Sequence, residues 1–101
     1  MRILHVVPTY APAWRYGGPI RAVHGLCQAL VGRGHDVHVF TTNVDGPHTL
    51  NVQSATPVDR DGVKVWYFPV QFRRLYWSPA MKHALNEQIS TFDFVHLHSI
   101  F

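Results

Sequence analysis

The stretch PTYAPAWRYGGPIR, residues 8–21, joins two segments of different periodicity and decides how the chain begins to fold. Residues 3–7 (ILHVV) before it form an apolar run rich in β-branched side chains, which is typical of a parallel strand covered on both faces. Residues 20–31 after it repeat apolar side chains at helical spacing. The stretch is therefore a strand-to-helix loop. It is longer than the roughly 2–6 residues usual in α/β units, which makes it the first place to look for a ligand.

The rest of the pattern predicts an α/β fold with a Rossmann-like parallel sheet. A first helix begins at Pro19 and is closed by Gly34, and a second helix begins after the N-cap residue Ser78. Right-handed crossovers place the predicted strands in the order 3-2-1-4, with the helices flanking the sheet. The strands are short apolar runs at residues 2–7, 36–42, 63–69 and 93–99.

Each predicted helix carries an apolar stripe, and a polar segment separates the second and third strands. Residues 43–62 are predicted to form a long surface loop, in which residues 51–54 pair with the third strand through the Asp61-Gly62 turn. The first stripe consists of Ile20, Val23, Leu26, Cys27, Leu30 and Val31. The second stripe consists of Met81, Ala84, Leu85, Ile89 and Phe92.

Composition limits the class of protein. With 101 residues, 47% apolar and 15% charged, the chain has the composition of a globular domain. The net charge of +3 comes from basic residues scattered along the sequence, so nucleic acid is not an expected partner. The only cysteine, Cys27, lies on the first apolar stripe, which favours a core thiol in a reducing compartment. No apolar run approaches the ~18 residues of a membrane span, and we expect a cytoplasmic protein.

The predicted sheet is an incomplete doubly wound domain. Such a domain has about six strands, and this pattern supplies four. We therefore expect residues 1–101 to be an amino-terminal domain that is truncated after its fourth strand and continues in a longer polypeptide. The apolar fourth strand then has an uncovered edge, which predicts self-association through that strand.

The long loop and the fourth strand converge on one predicted site. Ligands of open parallel sheets bind beyond the carboxyl ends of the strands, at the point where the strand order reverses. Gly17 and Gly18 allow the backbone to approach a ligand there, and the helix N-terminus together with Arg21 favours a diphosphate. The alternative is that the two glycines only form a tight turn. A nicotinamide cofactor is not expected, because the spacing G-x-G-x-x-G and the acidic residue about 20 positions later are missing.

Two histidines mark the other half of this site. His96 and His98 alternate onto one face of the fourth strand. A metal needs a third ligand, and no cysteine or carboxylate cluster accompanies the pair, so no metal is expected. The alternative is a small metal-dependent hydrolase that uses both histidines. His96, deeper in the strand, is predicted to be a hydrogen-bonded core residue, and His98 at the tip is a candidate for ligand contact.

A basic and aromatic cluster follows the third strand. The favoured interpretation is an ordinary loop that folds its aromatic side chains onto the core. The alternative is peripheral contact with an anionic membrane surface or a lipid-linked acceptor, for which basic and aromatic side chains are suited. The cluster consists of Arg73, Arg74, Tyr76 and Trp77.

Several of these motifs occur together in a known family. The sequence PTYAP (8–12), then GGPIR (17–21), then GHDV (34–37), placed between strand and helix, resembles the amino-terminal domain of family 4 glycosyltransferases, which have the GT-B fold. Residues 61–63 (DGV) and 93–98 (DFVHLH) fit the later part of the same domain. The likeness covers nearly the whole chain.

The resemblance implies a retaining, metal-independent reaction without a cofactor. A sugar passes from a nucleotide-sugar donor to an acceptor, which is a glycan, a lipid-linked molecule or a small molecule. Two Rossmann-like domains face each other across a cleft, the first holding mainly the acceptor and the second most of the donor. The expected partner is thus the carboxy-terminal donor-binding domain of the same protein, which residues 1–101 lack. The expected location is the cytoplasm or the inner face of the membrane. The alternative function is a non-catalytic Rossmann-like module that binds another phosphorylated ligand.

The resemblance also implies roles for individual residues. The Gly-Gly loop of the family reaches the donor diphosphate, which here implies Gly17 and Gly18, with Arg21 nearby. The family's paired glutamates belong to the second domain, so this fragment alone is expected to be inactive, with His98 as its cleft-facing candidate. The acceptor-side candidates are Tyr10, Tyr16, His98 and Ser99.

Overall fold

A computed structural model describes residues 1–7, 10, 18–45, 48–50, 56–69 and 78–97, which form a mixed α/β fold. The strands are β1 (Arg2–Val6), β2 (Asp36–Thr42), β3 (Val44–Asp45), β4 (His48–Thr49), β5 (Val58–Arg60), β6 (Val63–Phe68) and β7 (Phe94–Leu97). The helices are α1 (Gly18–Gly32) and α2 (Pro79–Gln88), and a 3-10 turn, Ile89–Thr91, follows α2.

The main sheet has five strands in the order β5-β6-β2-β1-β7. Strands β6, β2, β1 and β7 are parallel, and β5 is antiparallel to β6. The α/β, Rossmann-like class predicted from the sequence is confirmed. The predicted four-strand order was incomplete, because the antiparallel strand β5 extends the sheet beyond β6. A separate two-stranded hairpin is formed by β3 and β4.

The two helices cover opposite faces of the sheet. Successive side chains of a strand point to opposite faces, so neighbouring strand residues belong to different cores. The core under α1 contains Val7, Tyr10, Ile20, Cys27, Val37, Val39, Val63, Val65 and Tyr67. The core under α2 contains Leu4, Val6, Phe40, Phe68 and Phe92, with Met81, Ala84 and Leu85 of the helix packed against it.

Helix α1 buries the predicted stripe with the exception of Leu26. It begins at Gly18, one residue before the predicted start, and Gly34 follows it with φ 88°, the left-handed conformation expected of a cap glycine. Leu26 was assigned to the buried stripe, but its exposed fraction is 45%. His24, with an exposed fraction of 8%, takes its place against the core. The prediction for Leu26 was wrong because the buried face of the helix is centred on His24 and Cys27, whose burial depends on contacts outside the helix.

Helix α2 starts as predicted and ends earlier. The Ser78 hydroxyl accepts a hydrogen bond from the backbone N–H of Met81 at 3.2 Å, and Pro79 is the first helical residue. The helix ends at Gln88, and Ile89 turns outward in the 3-10 turn with an exposed fraction of 45%. Ile89 is therefore not part of the buried stripe, whereas Phe92 reaches the core from beyond the helix.

The segment predicted as a long loop contains β3, β4 and β5. The predicted turn at Asp61 and Gly62 is present, with φ angles of 56° and 85°. Asp59 Oδ1 accepts a hydrogen bond from the Gly62 backbone N–H at 2.9 Å and closes the turn. The strand that pairs with β6 across it is β5, whereas the predicted partner, residues 51–54, lies outside the described residues.

A polar cluster ties together the starting ends of three strands. Asp36 accepts hydrogen bonds from Arg2 Nε at 3.2 Å and from Lys64 Nζ at 2.8 Å. The indole N–H of Trp66 donates to His38 Nδ1 at 3.0 Å, so the neutral His38 ring carries its proton on Nε2, 3.1 Å from Asp36 Oδ1. Burial is the main reason why the pKa of His38 is lowered from its ordinary 6.5. The hydrogen bond from Lys64 is the main reason why the pKa of Asp36 lies far below its ordinary 3.8.

We expect the free energy of unfolding to fall as the pH drops below about 6.5, the ordinary pKa of histidine. Below that pH the unfolded chain binds a proton at His38 that the folded chain resists, so acid favours unfolding. This group contributes a slope of at most about 1.4 kcal/mol per pH unit. Asp36 adds a second loss of unfolding free energy as the pH falls below 3.8, because the folded chain resists protonation of this carboxylate and the unfolded chain does not. Urea unfolding of the wild type and of His38→Gln at a series of pH values measures the first effect. An unchanged slope in the variant would contradict it.

Gly34→Ala and Gly62→Ala form a matched pair that separates backbone strain from steric overlap. Both glycines have positive φ, so alanine at either position costs about 1–2 kcal/mol. At Gly62 the new Cβ would also lie 2.8 Å from Val31 Cγ1, whereas no described atom lies within 4 Å of the Cβ position at Gly34. Denaturant unfolding should therefore show a larger loss for Gly62→Ala. Equal losses of unfolding free energy in the two variants would mean that a Cβ at position 62 does not overlap with Val31 of α1.

Candidate functional site

The strand β1 ends at one edge of the sheet, where the chain continues toward α1. β1 lies between β2 and β7 and is parallel to both, with His5 opposite His96 of β7. The carboxyl ends of these three strands therefore lie at the same edge. The chain leaves β1 there and enters α1. In open parallel sheets this edge, where the connections diverge to the two sides, is the usual ligand site.

The N-terminus of α1 lies at this edge. Gly18 is the first helical residue, and none of the described atoms lies within 4 Å of the position that a Cβ would take. The first N–H groups of a helix have no partner within the helix and carry a partial positive charge. Arg21 lies in the same first turn and is exposed. Helix N-termini with a nearby arginine are a common arrangement for anion binding in proteins.

The sequence-predicted diphosphate residues are brought together only in part. Gly18 and Arg21 lie in one helical turn. Gly17 lies outside the described residues, as do Tyr16, His98 and Ser99, which were predicted to lie on the acceptor side.

Tyr10 occupies the interior of the protein. Its exposed fraction is 0%, and its ring packs edge-on against His24 with the ring centroids 5.4 Å apart. Its hydroxyl lies 2.5 Å from His24 Nδ1. Burial raises the pKa of Tyr10 well above its ordinary 10.0, so the hydroxyl stays protonated. These contacts give Tyr10 a structural role, and its role on the acceptor side stays a prediction.

His24 connects Tyr10 to the turn between β5 and β6. His24 Nε2 lies 3.0 Å from Asp61 Oδ2. Burial raises the pKa of the neighbouring Cys27 thiol to about 11, so this side chain is a protonated core residue rather than a nucleophile. The local sequence signal for His24 is its place in α1, four residues after Ile20, and this signal does not identify its partners Tyr10 and Asp61.

The strand β7 is more exposed than predicted. His96 was expected to be a buried core residue, but its side chain is exposed, and its ring lies 5.5 Å from that of His5. The prediction was wrong because β7 is the edge strand of the described sheet. Phe94 and Leu97 have exposed fractions of 56% and 59% on its two faces.

Neither a metal centre nor a membrane span is found in the part of the chain that the structure describes. Within it, no three His, Cys, Asp or Glu side chains are grouped so that they could hold a metal ion. Neither of its helices combines the length and the apolar character that crossing a membrane requires. The basic and aromatic cluster, residues 73–77, lies outside the described residues.

Comparison with known proteins identifies the family. Residues 16–101 match the sequence model of Glycosyltransferase Family 4. The comparisons with curated proteins and with solved structures gave no significant match. The matched region contains the open start of α1, the strands β2 to β7 and α2. Because it covers far more than half of the sequence, the chain belongs to Glycosyltransferase Family 4.

Proposed function

We propose that this chain forms the amino-terminal, acceptor-side domain of a retaining, metal-independent glycosyltransferase. The enzyme transfers a sugar from a nucleotide-sugar donor to a glycan, a lipid-linked molecule or a small-molecule acceptor. A second Rossmann-like domain of the same protein supplies most of the donor contacts and the catalytic carboxylates, so residues 1–101 alone do not turn over substrate. Family membership supports this proposal at the level of the reaction class.

One observation carries the proposal for the donor diphosphate. None of the described atoms lies within 4 Å of the Cβ position at Gly18, and Arg21 is exposed one turn into the helix. A helix N-terminus stabilises an anion by about 0.3–1 kcal/mol at the surface. A hydrogen bond to a charged group adds about 1.5–3 kcal/mol. Together these terms amount to about 1.8–4 kcal/mol, which corresponds to dissociation constants from about 50 mM down to about 1 mM, so binding by this domain alone should be weak.

The competing reading as a metal-dependent hydrolase has less support. Its pair, His96 and His98, needs a third ligand. The described His, Cys, Asp and Glu side chains offer no such group. The His96 side chain is exposed on an edge strand and lies next to the rings of His5 and Phe94. The family match favours sugar transfer over hydrolysis.

Gly18→Ala tests whether the open helix start binds the diphosphate. The added methyl group meets no described atom, and alanine is a better helix former than glycine, so the folded protein should be as stable as the wild type or more so. The methyl group would stand where the diphosphate approaches the backbone. We expect pyrophosphate affinity, measured by NMR titration, to fall about tenfold, the equivalent of one good hydrogen bond.

Gly25→Ala is the matched control. Gly25 lies in the same helix, two turns further along, and also has no described atom within 4 Å of its Cβ position. Its replacement should stabilise the helix by up to about 1 kcal/mol and leave pyrophosphate affinity unchanged. Equal affinities of the wild type and Gly18→Ala, or equal losses in the two variants, would refute the assignment of Gly18.

A further inference from the structure

The imidazole ring of His38 is held at one point beside the core under α2. His38 lies near the start of β2, and the exposed fraction of its side chain is 7%. Its Nδ1 accepts a hydrogen bond from the indole N–H of Trp66 in β6 at 3.0 Å. Its Nε2 lies 3.1 Å from Asp36 Oδ1 but makes no hydrogen bond to a described residue. Among the described groups, the bond from Trp66 is therefore the hydrogen bond that orients this ring.

That hydrogen bond exists only while His38 is neutral. An indole nitrogen donates and does not accept, so Nδ1 must keep its lone pair. In the imidazolium form both ring nitrogens carry protons. Two N–H groups would then face each other across 3.0 Å, which replaces an attraction with a repulsion. Protonation of His38 and the hydrogen bond from Trp66 therefore exclude each other.

The charged groups of the three neighbouring strands favour the neutral form of His38. Asp36 of β2 already accepts hydrogen bonds from Lys64 Nζ of β6 at 2.8 Å and from Arg2 Nε of β1 at 3.2 Å. A protonated His38 would thus be a third cation next to one carboxylate. Burial is the main reason why the pKa of His38 is lowered from its ordinary 6.5, and the positive charges of Lys64 and Arg2 act in the same direction.

Helix α2 and the segment after it bring apolar groups to this side of the sheet. The ring of Phe92 packs edge-on against that of His38, with the centroids 5.3 Å apart. The side chains of α2 that pack on this core are Met81, Ala84 and Leu85. Its charged or titratable side chains Lys82, His83 and Glu87 are exposed to solvent. The described charges that act on His38 are therefore those of Asp36, Lys64 and Arg2.

We infer that His38 and Trp66 form a pH-sensitive switch on the face of the sheet that α2 covers. When a proton from solvent binds to Nδ1, Trp66 loses its acceptor and the ring turns until Nε2, now 3.1 Å from Asp36 Oδ1, donates to that carboxylate. The half-buried indole, whose ring lies 5.9 Å from that of Phe40, is released toward solvent. The switch lies at the starting ends of the strands, so the inference does not depend on the diphosphate site.

A pH titration followed at the Trp66 indole tests the switch. Its ¹H–¹⁵N signal is the indole signal that disappears in Trp66→Phe. At about pH 7.5, above the ordinary pKa of histidine, we expect a through-bond coupling between Trp66 Nε1 and His38 Nδ1. Below pH 6.5 this coupling should be lost while the backbone amides of β1 and β2 keep their folded shifts. The ratio of released to bonded indole should rise about tenfold for each pH unit. No coupling at about pH 7.5, or a coupling that persists until those amides report global unfolding, would overturn the inference.

His38→Asn and His38→Leu separate the switch from general acid sensitivity. Both side chains are of similar size, but only asparagine keeps an acceptor oxygen near the place of Nδ1, and neither titrates as histidine does. In His38→Asn the Trp66 indole should stay hydrogen-bonded, with a shift that does not follow the pH. In His38→Leu its proton should exchange with solvent about fivefold faster than in His38→Asn at the same pH, as the loss of one hydrogen bond predicts. Equal exchange rates in the two folded variants would contradict the role of Nδ1.

Lys64→Met tests the proposed turn of the ring toward Asp36. The exposed fraction of the Lys64 side chain is 48%, so the fold should tolerate methionine there. Without this lysine, one positive charge that opposes the imidazolium is gone, and Asp36 loses a competing donor. The indole should therefore be released at a higher pH than in the wild type. Lys82→Met, which removes an exposed lysine of α2, is the matched control and should leave the midpoint of release unchanged. An unchanged midpoint in Lys64→Met, or equal rises in both variants, would refute the exchange of partners.

Discussion

The pairing of β1 with a parallel strand on each side is the constraint on which the rest of the structure depends. β2 on one side and β7 on the other fix the five residues of β1 in register, and their side chains alternate between the two cores. Leu4 and Val6 reach the core under α2, and Val7, just past the strand, reaches the core under α1. The carboxyl end of β1 is thereby held between two neighbours, and the segment that leads to α1 must emerge at that edge of the sheet.

The second constraint is the satisfaction of buried polar groups. A buried polar side chain without a partner costs about 1–3 kcal/mol, so a histidine in a core requires a specific neighbour. His24 finds Tyr10 on one side and Asp61 on the other. His38 lies on the other face of the sheet, where its Nδ1 accepts from Trp66 while its Nε2, 3.1 Å from Asp36 Oδ1, makes no hydrogen bond to a described residue. The His24 group links α1 to the turn between β5 and β6. The His38 group links the starting ends of β1, β2 and β6.

Local sequence signals predicted much of this fold. The apolar runs of β1, β2 and β6, the cap at Gly34 and the N-cap at Ser78 each depend on residues next to one another, and each is present. The strand β5 was missed because its sequence, VDR, is three residues long and mostly polar. Its place is determined by the turn at Gly62 and by pairing with β6, neither of which can be read from those three residues.

In the candidate site, as in the fold, features set by neighbouring residues were predictable and features set by distant residues were not. The glycines, Arg21 and the order of the motifs were sufficient to suggest a diphosphate site and the family. The burial of His24 was not predictable, because it depends on Tyr10, 14 residues before it, and on Asp61, 37 residues after it. The exposure of His96 follows from the position of β7 at the edge of the sheet. The predicted strand order already placed this strand at an edge, and the expectation of a core position for His96 did not take that into account.

The most direct test of the central claim is to map where pyrophosphate binds on the wild-type chain. A titration followed in ¹H–¹⁵N correlation spectra reports on every backbone amide at once. The binding assignment predicts that the largest shifts occur at the start of α1, at Gly18, Ile20 and Arg21, where the helix presents its N–H groups. The basic groups Arg2 and Lys64, at the opposite ends of the strands, provide an internal comparison. Shifts concentrated there, with none at the start of α1, would contradict the assignment.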